Sequence, residues 1–149
     1  MTDASPSARF EGHTHIWPVR IYYEDTDLSG IVYHANYLRY MERARTEFFR
    51  AMGIKAAYLE DADPAAWALR KVEVEYLRPA KFDDIIEVHT LATDLTGVRL
   101  RASQVIRRGD AVLTRGAVEA CIISLSGKPK RIPTEIRDKL MPFLSGTVA

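Results

Sequence analysis

Tyr22-Tyr23-Glu24-Asp25-Thr26-Asp27-Leu28-Ser29-Gly30-Ile31-Val32-Tyr33-His34-Ala35-Asn36-Tyr37, running on as Leu38-Arg39-Tyr40-Met41-Glu42-Arg43-Ala44-Arg45, decides how this chain is read. Its aromatic start reads as a strand end, its acidic middle as a loop pivoting on Gly30, and its end as the opening of the one long helix. Leu38, Met41, Ala44 or Arg45, Phe48 and Met52 recur at helical spacing, while Arg39, Glu42, Arg43, Glu47 and Arg50 supply a polar side. The spacing predicts a helix from Asn36, a good N-cap type, to Met52, with Gly53 as the stop. Such a helix is about 25 Å long, enough to cross a sheet. Asp25 and Asp27 then sit just ahead of a helix N-terminus, where unpaired backbone N–H groups point outward. A carboxylate there can attack or deprotonate, and the N–H groups can hold a developing oxyanion.

Working outward, Trp17 to Glu24 has the aromatic and β-branched content of a strand. Residues 1–15 are small and polar and read as a disordered lead, with His13 and His15 incidental. Lys55 to Ala66 reads as a connector broken at Asp61-Ala62-Asp63-Pro64. Val72, Val74 and Tyr76 then alternate with Lys71, Glu73 and Glu75, the period of a strand with one wet face. Further strands are expected over about 85–93, 98–107 and 111–125, with turns at Asp94-Leu95-Thr96-Gly97 and Arg108-Gly109-Asp110. The last is apolar enough at Val118 to Ile123 to be buried on both faces. Ser126-Gly127-Lys128-Pro129-Lys130 ends it, and Pro133 opens a short helix to Leu140. Short turns demand antiparallel neighbours, so the layout is α+β: one helix on one antiparallel sheet, a single domain over 16–145.

The 149 residues suit one domain with a substantial core. Lys plus Arg number 21 against 20 Asp plus Glu, a balance that offers no electrostatic case for nucleic acid or an anionic membrane surface. The single cysteine, Cys121, excludes an internal disulfide framework, and its apolar strand makes it a buried hydrophobe rather than a nucleophile. No signal-peptide pattern or membrane-span-length apolar run is present, so a cytoplasmic location is expected. Asp25 to Gly30 resembles the start of a calcium loop, but Asn36 stands where an EF-hand needs glutamate. No serine-hydrolase elbow, zinc motif, phosphate loop or dinucleotide fingerprint occurs. Spacing alone leaves Asp25 and Asp27 open between loop residues bonding their own backbone and groups that do chemistry.

Tyr23-Glu24-Asp25-Thr26-Asp27, Gly30-Ile31-Val32-Tyr33-His34-Ala35-Asn36-Tyr37 and Glu42-Arg43-Ala44-Arg45-Thr46-Glu47 closely resemble the 4-hydroxybenzoyl-CoA thioesterase family of hotdog folds. Within it the chain looks most like the Tol–Pal-associated acyl-CoA thioesterases of the YbgC type, as do Val74-Glu75-Tyr76-Leu77-Arg78-Pro79-Ala80 and Asp83-Asp84. The resemblance implies a long central helix wrapped by a curved antiparallel sheet, pairing into dimers or tetramers with the active site at the interface. It implies hydrolysis of a short-chain or aromatic acyl-CoA, or of an acyl-carrier-protein thioester. No cofactor is implied, coenzyme A being part of the substrate. The family's catalytic aspartate falls on Asp27 and its carbonyl-polarising backbone N–H on His34. Gly30, Ile31, Val32 and Tyr33 fall on the substrate-binding loop. Leu28-Ser29 departs from the usual smaller or proline residues. Lys128, Lys130 and Arg131, the densest basic cluster after the last strand, are candidates for the CoA phosphates. Envelope-lipid enzymes or Tol–Pal proteins are the implied partners. The competing classes are a non-catalytic acyl-CoA-binding hotdog module and a hotdog dehydratase.

Overall fold

The computed structural model describes residues 7–55, 57–58 and 62–145. In chain order it contains β1 (Arg9–Glu11), β2 (Thr14–Arg20), a 3-10 turn at Tyr23–Asp25 and α1 (His34–Ala51). Then come β3 (Ala57–Tyr58), β4 (Ala65–Tyr76), β5 (Ile85–Leu95), β6 (Arg99–Arg108), β7 (Ala111–Ser124), β8 (Pro129–Lys130) and α2 (Thr134–Leu140). The strands form one antiparallel sheet in the order β1-β2-β5-β6-β7-β4-β3, and β8 pairs β7 where β6 has ended. The expected α+β hotdog layout is what the chain adopts: α1 lies on the sheet, chiefly against β5 and β2.

Alternation on the strands explains the burial. Ile86, Val88, Thr90 and Ala92 of β5 and Leu100, Ala102, Gln104 and Ile106 of β6 face α1 and are buried. The helix meets them with Tyr37, Tyr40, Met41, Ala44, Phe48 and Phe49. Leu38, expected on that face, is exposed, and the tyrosines take its place. Tyr37 can be buried because its hydroxyl accepts the Ala80 N–H at 2.9 Å. Gly116 of β7 lets the helix close in: a Cβ there would meet Met41 Cε at 2.5 Å and the Gln104 carbonyl at 3.1 Å.

Several expectations need correction. The helix begins two residues before Asn36, with Tyr33 at the N-cap and no side-chain cap. Backbone closure starts it: the Tyr33 N–H donates to the Asp25 carbonyl at 2.9 Å. The strand read over Trp17 to Glu24 is shifted to Thr14–Arg20, because Tyr23–Asp25 coil into the 3-10 turn. Residues 9–15, expected to be part of a disordered lead, instead form β1 and the start of β2, paired as a hairpin, with His15 buried among Phe10 and Phe48. Residues 1–6 of that lead, and Asp61 of the expected break, lie outside the described residues. The connector of 55–66 contains β3 and the start of β4. On β7, Glu119 is only 5% exposed, held by Arg70 and Arg101 on the sheet's outer face. Cys121 is half-buried rather than buried.

β4 is the sheet's unfinished side. β3 pairs only with Ala65 and Ala66, so 67–76 have no strand on their outer edge among the described residues. Leu69, Val72 and Tyr76 are 45%, 37% and 46% exposed. Among the described residues no helix is long and apolar enough to cross a membrane.

Candidate active site

The 3-10 turn starts the construction. The Asp25 carboxylate accepts the Tyr22 N–H at 2.8 Å, closing the turn on itself. That role is local and structural. The Asp25 carbonyl then accepts twice, from the Tyr33 N–H and from Asn36 Nδ2, each at 2.9 Å. A single peptide oxygen thus joins the acidic loop to the first turn of α1. Asn36 contributes to the helix start after all, as a tie to the loop rather than as a cap.

Between those anchors the chain makes a tight turn. The Asp27 carbonyl accepts the Gly30 N–H at 3.0 Å, and the Asp27 N–H donates to the Ile31 carbonyl at 3.1 Å. Gly30 has φ +80°, which a side chain disfavours. The Asp27 carboxylate stands on this turn, exposed, with Oδ1 accepting the Ser29 N–H at 2.8 Å and the Ser29 hydroxyl. The Ser29 hydroxyl, then its N–H, hold the Asp27 carboxyl below the usual carboxylate range, and the nearby His34 adds a smaller pull. Asp27 is therefore ionised at neutral pH, with no bond from the described residues to Oδ2.

A second loop braces the first. The Val32 N–H donates to the Ala80 carbonyl at 2.9 Å, and Ile31 bridges to Lys81. Asp84 holds that brace, accepting from the Lys81 N–H at 2.9 Å and Arg108 Nη1 at 2.8 Å. Val32 is buried in the core and offers the site backbone rather than side chain. Tyr33 and His34 are exposed, their rings 4.6 Å apart. Tyr76, read from the sequence only as a strand residue, donates its hydroxyl to the His34 carbonyl at 3.0 Å. No described group accepts the His34 N–H.

Asp27, Gly30, Ile31, Val32, Tyr33 and His34 thus come together at one end of α1. Lys128, Lys130 and Arg131 do not join them within one chain. Tyr76 pairs with Thr114 whereas Ala65 pairs with Ser124, so the basic segment after Ser124 lies a strand's length away, about 35 Å. There Lys130 is tied to Asp63, and the Arg131 guanidinium lies over Gly97. Among the described residues no cluster of three or more His, Cys, Asp or Glu is arranged to hold a metal.

A cavity of about 360 Å³ opens between α1 and β4, lined by Glu42, Arg45, Phe49, Trp67, Leu69 and Thr90 among others. The sequence did not single it out, because its walls come from segments far apart in the chain.

A loop carboxylate poised beside a long helix start, on one curled sheet, defines a hotdog-fold protein. The chain belongs to the thioesterase-like superfamily, whose profile matches residues 22–140, and is by that membership a thioester hydrolase. It is 41% identical over 122 residues to the acyl-CoA thioester hydrolase YbgC of Escherichia coli O6:H1, covering 80% of this chain and 90% of that protein. It is 34% identical to the acyl-CoA thioesterase YbgC of Haemophilus influenzae, covering 81% and 90%. The crystal structure of a probable thioesterase from Bartonella henselae superposes with a TM-score of 0.76 at 36% identity, covering 80% of this chain and 98% of that one.

Proposed function

We propose that this protein hydrolyses acyl-CoA thioesters, with the Asp27 carboxylate supplying the attacking oxygen directly or by deprotonating a water. The carrying observation is the pairing of an ionised, outward Asp27 with the open first turn of an 18-residue helix. As the thioester carbonyl is attacked, its oxygen gains charge. The His34 N–H, at the positive end of the helix dipole, receives that charge, and one such donor is worth roughly 10²–10³ in rate. The leaving thiolate is stable enough to depart without a strong general acid. No metal or cofactor takes part in this route.

The working unit proposed is a pair of chains joined along the β4 edge, the same pair being able to assemble again into a tetramer. Unpaired backbone over 67–76 and the exposed Leu69, Val72 and Tyr76 support that edge as the seam. An antiparallel seam sets the Ala65 end of one β4 beside the Tyr76 end of the other. Lys128 and Arg131 of the second copy then become candidates for the CoA phosphates. The Tol–Pal likeness extends this reading to a cytoplasmic enzyme serving envelope lipids.

Asp27→Asn tests the reading. Thiol release from acyl-CoA is expected to fall by about 10²–10⁴ with the circular dichroism spectrum unchanged. Near-normal turnover by that variant would remove Asp27 as catalyst. Turnover in ¹⁸O-water adds to this: label in the Asp27 carboxylate shows direct attack, with water then entering at the aspartyl carbon of the mixed anhydride.

A further inference from the structure

The cavity between α1 and β4 has largely apolar walls and two charged side chains, Arg45 and Glu42, that form no ion pair among the described residues. Arg45 Nη1 donates to Gln104 Oε1 at 2.9 Å. Gln104 is itself fully buried, and its Nε2 donates to the Met41 carbonyl at 2.9 Å and to Thr90 Oγ1 at 3.0 Å. The amide is thereby locked with its oxygen toward Arg45. Among the described residues no carboxylate lies within ion-pair distance of Arg45. Glu42 lines the same cavity, and its attraction is outweighed by the desolvation that lowers the Arg45 pKa. A guanidinium has five N–H donors, and this one gives the described residues a single bond, to a neutral oxygen.

Arg45 is half-buried and has no ion-pair partner among the described residues, and the planar fork of arginine suits a carboxylate in two parallel bonds. Phe49, Leu100, Val118 and Ala120 line the same cavity with hydrocarbon. Methylene-rich walls ending at a fixed cation match one ligand chemistry: an alkyl chain ending in a carboxylate. We propose that this cavity receives the acyl part of the substrate and selects acyl groups that carry a terminal carboxylate, the mono-CoA thioesters of dicarboxylic acids. The proposal rests on the thioesterase reading above and adds to it the substrate class.

The test compares the wild-type protein on two matched series, mono-CoA thioesters of dicarboxylic acids from four to twelve carbons and plain acyl-CoAs of equal length. At the length that bridges Asp27 and Arg45, kcat/KM is expected to favour the carboxylate-ended substrate by about ten- to a hundredfold, as a charge-assisted bond allows. Arg45→Met is expected to abolish that preference, and Arg45→Lys to keep part of it. A wild-type protein that favours the plain chain at every length overturns the proposal, as does an Arg45→Met variant that keeps the preference. A preference for terminal hydroxyl over terminal carboxylate also overturns it. Binding of a free acid and its amide separates this from failure of the hydrolytic reading. Calorimetry on the wild type is expected to register octanoate more tightly than octanamide whether or not Asp27 is the catalyst, and equal binding sinks the proposal.

Discussion

The Tyr76 hydroxyl donates to the His34 carbonyl at 3.0 Å, joining the last residue of β4 to the first residue of α1. The sheet's open edge and the helix start are therefore mechanically one. Tyr76→Phe removes this bond and little else. It is expected to cost about 0.5–1.5 kcal/mol in urea unfolding and to lower kcat more than it raises KM. A variant equal to wild type in both measurements would show the bond to be idle.

Ser29 governs the charge of Asp27. Because its hydroxyl and N–H stabilise the carboxylate, Ser29→Ala is expected to raise the Asp27 pKa. The acid limb of the kcat/KM profile then moves to higher pH. A limb that stays in place would mean that another group sets it.

His15 makes stability depend on pH. The residue is 3% exposed, Nδ1 has no partner among the described residues, and burial holds its pKa below the usual histidine value. As pH falls, the unfolded chain takes up the proton first. Stability from this site is whole above pH about 6.5 and is lost as pH drops from there through the folded value. The urea midpoint of the wild type is expected to fall between pH 7 and pH 5. His15→Phe, joining Phe10 and Phe48, is expected to flatten that fall. An unchanged slope would assign the effect to other groups.

Gly116→Ala tests the closeness of helix and sheet. The new methyl group meets Met41 Cε, which can swing aside, and the Gln104 carbonyl, which cannot move freely. A loss of about 1–3 kcal/mol is expected from overpacking. A stabilised variant would show that room is there.

The acidic loop and the long helix were legible because their signals are local: paired acids, Gly30, then apolar residues at helical spacing. The helix starts two residues before the position its sequence predicts because a bond from Tyr33 back to Asp25 sets it, which no cap residue announces. The β1–β2 hairpin escaped for a related reason. Its partner strand β5 lies far along the chain, and polar residues such as Thr14 and His15 give no apolar run. Likewise the row Arg45–Gln104–Thr90 joins one helix to two strands and has no sequence spacing to read. Lys128, Lys130 and Arg131 stand out in sequence only by density, and charge density says nothing about which end of a sheet a turn occupies.

The double acceptance at the Asp25 carbonyl carries a consequence for how such proteins diversify. Acid and amide donors share one rigid hinge, so neither drifts without dragging the other. Changes to that hinge are penalised together, so substitutions are tolerated best at side chains that make no bond to it. The acid and the amide donors thus stand or fall as one unit whenever that single peptide oxygen is disturbed.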